Sequence, residues 1–443
     1  MGVALRISRD LAYIRSEEFR DLCRTRPEDF TRRRKLTAEV LAESLLARRG
    51  RTLSIELRDM RRDAGVDVTK WGYLKAREKM RPEALRELMR HHARSVYADG
   101  DATLFHGMVV VDVDGSSANV PTNDETLERY GNASCPDAKP QAAIGISEAF
   151  DPLTDQLLDI SLHRGKFNER AQVANHLVAA SWVTGGLPLL FIGDRGYPSL
   201  LLMALIECAG EHYLIRCSKG FLTPEFRAAE EAGGDLWIDV RLTRHRLKDQ
   251  AKTDPDAVDA LVALGTLRVR FCIVDIGGEE PERLVTNLGE DVLPHEGLKG
   301  CYWMRWPAET TYEYMKDRLQ MENFTGTKPV LIEQDVYATG YLANLAFDLA
   351  READEAAGER IEAEGKEYKH EMVANRTFAI GSLKEDLYSL VLAGEREREA
   401  LMATLVEEVS HELVPVRTGR PAYPRDGLSG RARRYSNTHK RAF

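Results

Sequence analysis

No run of about 18 apolar residues occurs in the 443-residue chain, so no segment reads as a membrane-spanning helix. Cysteine is scarce and scattered: Cys23, Cys135, Cys208, Cys217, Cys272 and Cys301 include no C-x-x-C pair. Neither a zinc site nor a disulfide framework is legible in that spacing, and a reducing cytoplasm is the expected home. Met1 to Arg24 is charged and amphipathic and lacks the apolar core of a signal peptide. There is no internal repeat. What remains is 43% hydrophobic and 30% charged, the composition of a soluble, helix-rich globular protein. The chain is too long for one simple core, and two to four structural units are expected.

The net charge of −9 conceals a strong asymmetry. Met1 to Gly107 carries 24 Lys and Arg against 17 Asp and Glu, a surplus of +7. Arg417 to Phe443 carries eight Lys and Arg against Asp426 alone, again +7, which leaves −23 for the middle. Basic ends around an acidic centre point to terminal segments that bind a polyanion.

Residues 1–107 read as successive helices. Phe30 to Gly50 has Leu36, Val40, Leu41, Leu45 and Leu46 at helical spacing, with Gly50 as the stop. A shorter helix follows, and then one that begins at Thr69 as N-cap. Its Lys70, Lys75, Arg77, Lys79 and Arg81 resemble the exposed side of a helix-turn-helix-like reader, although most charge runs are simply solvated faces.

At Gly107 the texture changes. GMVVVDVDGSS is a β-branched run ending in a turn, the pattern of a buried strand. Ala142–Phe150 and Gln156–Leu162 read as a hairpin around residues 151–155. Asn168–Val183 reads as a helix, Leu187–Tyr197 as a strand and turn, Pro198–Ala209 as a helix and His212–Cys217 as a fifth strand. The order β-β-β-α-β-α-β describes a mixed sheet covered by helices, an α/β fold. From Ser218 to Gly300, LWIDVRLTR, LRVRFCIVDI and ERLVTNL alternate with period two, as an antiparallel β-unit set apart from that sheet would. Helix returns after Gly300, and the Pro/Gly/Arg-rich tail is expected to order only on a partner. The units are thus residues 1–107, a sheet domain over 108–217 that resumes at 301–350, a β-insertion over 218–300, a helical region over 351–416 and a basic tail over 417–443.

Three carboxylates stand at element ends. Asp114 closes the first strand, Asp194 the fourth, and Glu309 lies on a helix after the insertion. If the first and fourth strands are neighbours, Asp114 and Asp194 emerge side by side where open α/β sheets build their sites. Asp112 rivals Asp114, because residues two apart on a strand share a face. Asp194 could instead cap the next helix. Three acids together suit two divalent cations, Mg²⁺ or Mn²⁺, that activate one oxygen and stabilise another. Around Glu309, the spacing of Arg305, Glu309 and Lys316 puts all three on one helical stripe, with Tyr302 at its start. Pro307 suits a first helical turn.

Four segments carry a resemblance to a known family: DGSS with Asp114, GDRGYPS with Asp194, RLVTNL, and YWMRWPAETTYEYMK. The last follows a Y-x2-R-x3-E-x6-K pattern at Tyr302, Arg305, Glu309 and Lys316. Together they resemble the bacterial insertion-sequence DDE transposases that have a β-rich insertion before the final glutamate. The resemblance covers Met1 to about Phe378, and Trp306-Pro307-Ala308 departs from it just before the glutamate. It implies a ribonuclease-H-like core in which Asp114, Asp194 and Glu309 hold two Mg²⁺. It also implies that Arg305 and Lys316 contact DNA phosphates and that Tyr302 contacts the terminal nucleotides. Trp237, Trp303 and Trp306 are candidates to stack on an unpaired base, with burial the plainer reading for each.

The expected function is metal-dependent cleavage and strand transfer at the inverted terminal repeats of an insertion sequence. The expected partners are double-stranded DNA, as terminal repeats and target, and a second copy of the chain in a homodimeric DNA complex, with no membrane. A nucleoid-associated place in a bacterial cytoplasm follows. The rival readings are a ribonuclease-H-like nuclease that cuts without joining and a transposase-derived DNA-binding protein without activity. The second is disfavoured by the intact acids and cations.

Overall fold

The computed structural model describes residues 2–32, 34–134, 138–248, 250–252, 254–275, 281–305, 311 and 314–416. The N-terminal part is helical: α1 (Val3–Ile14), α2 (Glu17–Cys23), α3 (Ala38–Leu46), α4 (Leu53–Ala64), α5 (Lys70–Arg77) and α6 (Glu83–Ala98). Capping explains several starts. The side chains of Ser16, Thr37 and Thr69 accept from the backbone N–H groups of Phe19, Val40 and Gly72, which the first helical turn would otherwise leave unpaired. On α1, Val3, Ile7, Leu11 and Ile14 fall on one buried stripe. The helix expected to run to Gly50 ends earlier, at Leu46. Beyond it Arg48 turns inward to pair with Asp335, and Gly50 takes a left-handed φ of 80°.

The strands are β1 (Val109–Asn119), β2 (Ala143–Asp151), β3 (Gln156–Arg164), β4 (Leu189–Gly193), β5 (His212–Cys217), β6 (Asp235–Arg241), β7 (Thr266–Val274) and β8 (Glu282–Thr286). They form one eight-stranded sheet in the order β3-β2-β1-β4-β5-β8-β7-β6. β1, β2 and β3 are antiparallel, β4 and β5 run parallel to β1, and β8 joins β5 antiparallel. The first five strands form the mixed half of this sheet, three antiparallel strands followed by two parallel ones.

The antiparallel pairing expected within residues 218–300 is present, but the separation expected of this unit is not. β8 pairs with β5, Leu214 opposite Thr286, so β6 to β8 extend the central sheet. The physical reason is the edge of β5. Its buried Leu214 and Ile215 would otherwise leave a row of backbone donors and acceptors without a ladder. Helices α10 (Thr223–Glu231) and α11 (Pro255–Leu264) cover this extension, packing Phe226, Val258 and Leu261 with Phe271, Val269 and Val285.

After α12 (Leu298–Trp303) the chain reaches the 36-residue helix α13 (Pro329–Glu364). From Leu331 to Ala350 nearly all of its side chains are buried, as in a helix surrounded by protein. It lies in one apolar cluster with α1, α3, α6 and the Ile144, Phe150, Leu157 and Ile160 face of β2 and β3. Helices α14 (Arg376–Leu392) and α15 (Glu395–His411) close that cluster, and short strands β9 (Met372–Ala374) and β10 (Leu413–Pro415) pair beside them. Helix α7 (Asp124–Tyr130) follows β1, and α8 (Val173–Val183) and α9 (Leu200–Cys208) pack on the opposite face of β1 and β4. No described helix is long and apolar enough to cross a membrane.

Candidate active site

Alternation along β1 builds the site. Val109, Val111 and Val113 face α8 and α9, whereas Val110 joins Leu190, Ile192 and Leu214 on the other face. Ala118, further along the second face, belongs to the cluster around α13. Asp112, Asp114 and Ser116 therefore project from this face, in the gap between two apolar clusters.

The parallel register of β1 and β4 is constant, from Val109 opposite Leu189 to Asp112 opposite Ile192. Two residues further on each strand stand Asp114 and Asp194. Neighbouring strands lie about 4.8 Å apart, so the two carboxylates leave the same end of the sheet side by side. Asp114 was expected at the end of its strand. What ends there is the pairing with β4, for β1 continues along β2 to Asn119 opposite Ala143. The backbone N–H of Gly196 donates to Asp194 Oδ1 at 2.7 Å, which makes a tight turn. The cap of the following helix is Ser199, so Asp194 is not spent there. Arg195 turns away to Glu282 on β8, at 2.7 Å, and Arg216 pairs with the same carboxylate.

Three of the four residues of the Tyr302–Lys316 pattern can be placed. Arg305, 12% exposed, stands 3.8 Å from the carboxylate of buried Asp112. Lys316, on a π-helical turn (Tyr314–Arg318), donates to Ser116 Oγ and, at 3.1 Å, to Ser117 O. Burial pulls the Lys316 ammonium below the usual lysine range, against the pull of Glu322, Glu148 and Asp114. Tyr302 is buried on α12 among Leu298 and Cys301, with the Arg216 guanidinium 5.9 Å from its ring centre. Burial raises its hydroxyl pKa, and Arg305 and Arg216 oppose the rise. Glu309, like Trp306 and Pro307, lies outside the described residues. Trp303 is half-exposed, and Trp237 lies under the Arg268 guanidinium at 5.5 Å.

Two further acids face this site and were not singled out in the sequence. Glu148 is fully buried on β2, directly opposite Asp114. Burial first, then Asp114 and Asp112, push its pKa well above the carboxylate range. Glu169, at the start of the turn before α8, is raised by burial and by Asp114 and Asp194. Its carboxyl group occupies the space that a side chain at residue 115 would need, which accounts for Gly115 in the DGSS segment. The signal for Glu148 was a lone charge in the apolar run AAIGISEAF.

On α5 the expected basic face divides. Lys70, Lys75 and Lys79 are exposed, with Lys75 3.0 Å from Glu78 and Lys79 3.6 Å from Asp29. Arg77 contradicts the expectation of a DNA-facing side chain. It is fully buried, donating to Gln334 at 2.9 Å, Leu331 O at 2.9 Å and Asp335 at 2.7 Å. The reason is helical phase: Tyr73 and Arg77, four residues apart, share the buried stripe of α5. The tail residues Arg431, Arg433, Arg434, Lys440 and Arg441 lie outside the described residues.

Residues 105–345 match the family model described as a transposase DDE domain. The chain belongs to the DDE transposase family. A search of curated proteins finds no match. Among solved structures the chain is similar to a piggyBac transposase in a synaptic complex with hairpin DNA, determined by cryo-EM. That likeness is 10% in sequence, covers 95% of this chain and 87% of the other, and has a TM-score of 0.41.

Membership in the family implies an enzyme that cleaves and transposes DNA. DDE transposases work with divalent metals, and the residues here fit them: the donors at the end of β1 and β4 are carboxylate oxygens, the set that Mg²⁺ and Mn²⁺ favour. Among the described residues no three His, Cys, Asp or Glu side chains converge on one ion position.

Proposed function

We propose that this DDE transposase binds the inverted terminal repeats of an insertion sequence, cuts at their ends and joins the freed 3′ ends to target DNA. In this reading Asp114, Asp194 and Glu309 hold Mg²⁺ or Mn²⁺. A bound metal pair would supply an activated oxygen nucleophile and a counter-charge for the leaving oxygen.

One observation carries the reading. Arg305 and Lys316 reach β1 at Asp112 and at Ser116–Ser117, two residues on either side of Asp114. Glu309 lies in sequence between these two anchors. This bracketing, with the β1–β4 register that sets Asp194 beside Asp114, supports a three-acid site flanked by two cations. Arg305 would orient a phosphate through its planar guanidinium, and Lys316 would act as a compact positive charge beside it. Tyr302, buried between Arg216 and Arg305, would hold the guanidinium side of that clamp in place and present its hydroxyl to the end nucleotides.

Exposed Lys70, Lys75 and Lys79 would contact phosphates of the terminal repeat, and the tail would add nonspecific ones. Holding two DNA ends together calls for a homodimer in the DNA complex. The test is incubation with Mg²⁺ and a duplex carrying the DNA end that flanks the gene. Cleavage and joined products that vanish in Asp194→Ala support the proposal. Cleavage without joining would leave a nuclease, and binding without cleavage in the wild-type chain would leave a DNA-binding protein.

A further inference from the structure

The carboxyl group of Glu148 is the least expected feature of the sheet. It is 0% exposed, and among the described residues neither of its oxygens has a hydrogen-bond partner. Burying a carboxyl group without a partner is costly, and buried polar side chains are in general satisfied. Asp159, on the adjacent strand, shows the ordinary solution. It is equally buried but accepts from Arg86 at 2.9 Å and Arg90 at 2.7 Å, with His176 2.8 Å away. Lys316 does not serve Glu148 in that way, since its ammonium is seated on Ser116 and Ser117.

Position says what the missing partner is. Glu148 is the cross-strand partner of Asp114, and opposed residues on antiparallel strands put their side chains on the same face about 5 Å apart. A phosphate would be repelled there, and a large ligand cannot reach a fully buried group. A small, hard, oxygen-seeking cation satisfies both limits.

We propose that Glu148 is a fourth carboxylate of the site, ligating the divalent cation held at Asp114 either directly or through one cation-bound water. The inference rests on the reading of Asp114 as a cation-holding residue, and the experiment separates the two.

Mn²⁺ alone is titrated by calorimetry into the full-length chain without DNA. The wild type is compared with Asp114→Asn, Glu148→Gln and Glu148→Leu, and melting is followed with and without Mn²⁺. Glu148→Gln should weaken Mn²⁺ binding about tenfold or more, the cost typical of residues that support a metal. Glu148→Leu should weaken it as much, yet melt no lower than wild type in chelator, because the unpartnered group is gone. Its Mn²⁺-induced rise in melting temperature should shrink in step with the lost affinity. Glu148→Gln binding Mn²⁺ within twofold of wild type, while Asp114→Asn loses binding, would overturn the role of Glu148 alone. Wild-type binding in Asp114→Asn would overturn the cation reading of Asp114 and this inference with it. If Glu148→Leu does not fold, Glu148→Gln decides.

Discussion

Along α13 buried acids meet buried cations: Asp335 is held by Arg77 and Arg48, and Asp348 by Arg6 at 2.6 Å. At the end of β1 and β4 the acids meet one another. Glu148 is held well above the carboxylate range and Glu169 is raised from its ordinary value, each first by burial and then by Asp114 with Asp112 or Asp194. The first arrangement is architecture, since each charge is neutralised and removing one partner strands the other. The second is costly as it stands and makes sense when a cation completes it. Buried charge is thus a guide to function only once its partners are named.

The sharpest way to break the comparison is at Asp194. Asp194→Ala should reduce DNA cleavage about a thousandfold or more, the equivalent of several kcal/mol of lost transition-state stabilisation. Its melting temperature and terminal-repeat binding should stay close to wild type, because Asp194 is half-buried and, among the described residues, holds only a local turn. Persistent cutting on gels would remove Asp194 from the site. Arg77→Ala should do the reverse. It removes one of the two cations that hold buried Asp335, together with the hydrogen bonds to Gln334 and Leu331, and should cost about 3–5 kcal/mol in urea unfolding. A loss below about 1 kcal/mol would mean that the α5–α13 contact is not structural.

These two residues also mark what the sequence could and could not say. The β-branched run of β1, the apolar run of β4 and the 80-residue offset between Asp114 and Asp194 are legible, because a buried parallel strand needs such residues and the acids follow directly. Arg77 reads as exposed when a run of cations is weighed as a run, whereas its four-residue spacing from Tyr73 places it on the buried stripe. The edge on which β6 to β8 dock was not legible, since period-two alternation fixes which face is apolar and not which strand is the neighbour. Glu148 needed the register of β1 and β2, which no single strand carries.

A third test uses pH on the neutralised region. Burial pushes the Asp335 carboxyl up, but Arg48, Arg77 and Thr325 draw it down to about 2. A carboxylate depressed in the folded state contributes stability above its ordinary value, and that contribution is lost as pH falls through the folded value. Between about pH 4 and pH 2 the wild type should therefore lose about 2 kcal/mol more than Asp335→Asn does, the unit-by-unit worth of such a shift. Parallel pH profiles of urea unfolding would show that Asp335 is not the group that titrates.

The smallest effects separate residues on α5 and the turn that follows it. Lys75→Ala and Lys79→Ala remove exposed, singly paired side chains, so each should change stability by less than about 0.5 kcal/mol. If these lysines touch DNA phosphates, each loss should reduce the slope of log affinity against log salt by about one. Arg77→Lys, where a buried cation is kept but its planar hydrogen bonds are lost, should lower stability and leave that slope unchanged. An unchanged slope in both lysine variants would turn α5 away from DNA. A slope altered by Arg77→Lys alone would mean that the helix releases from α13 when DNA binds, which the paired region, unlike the acid end of the sheet, gives no reason to expect.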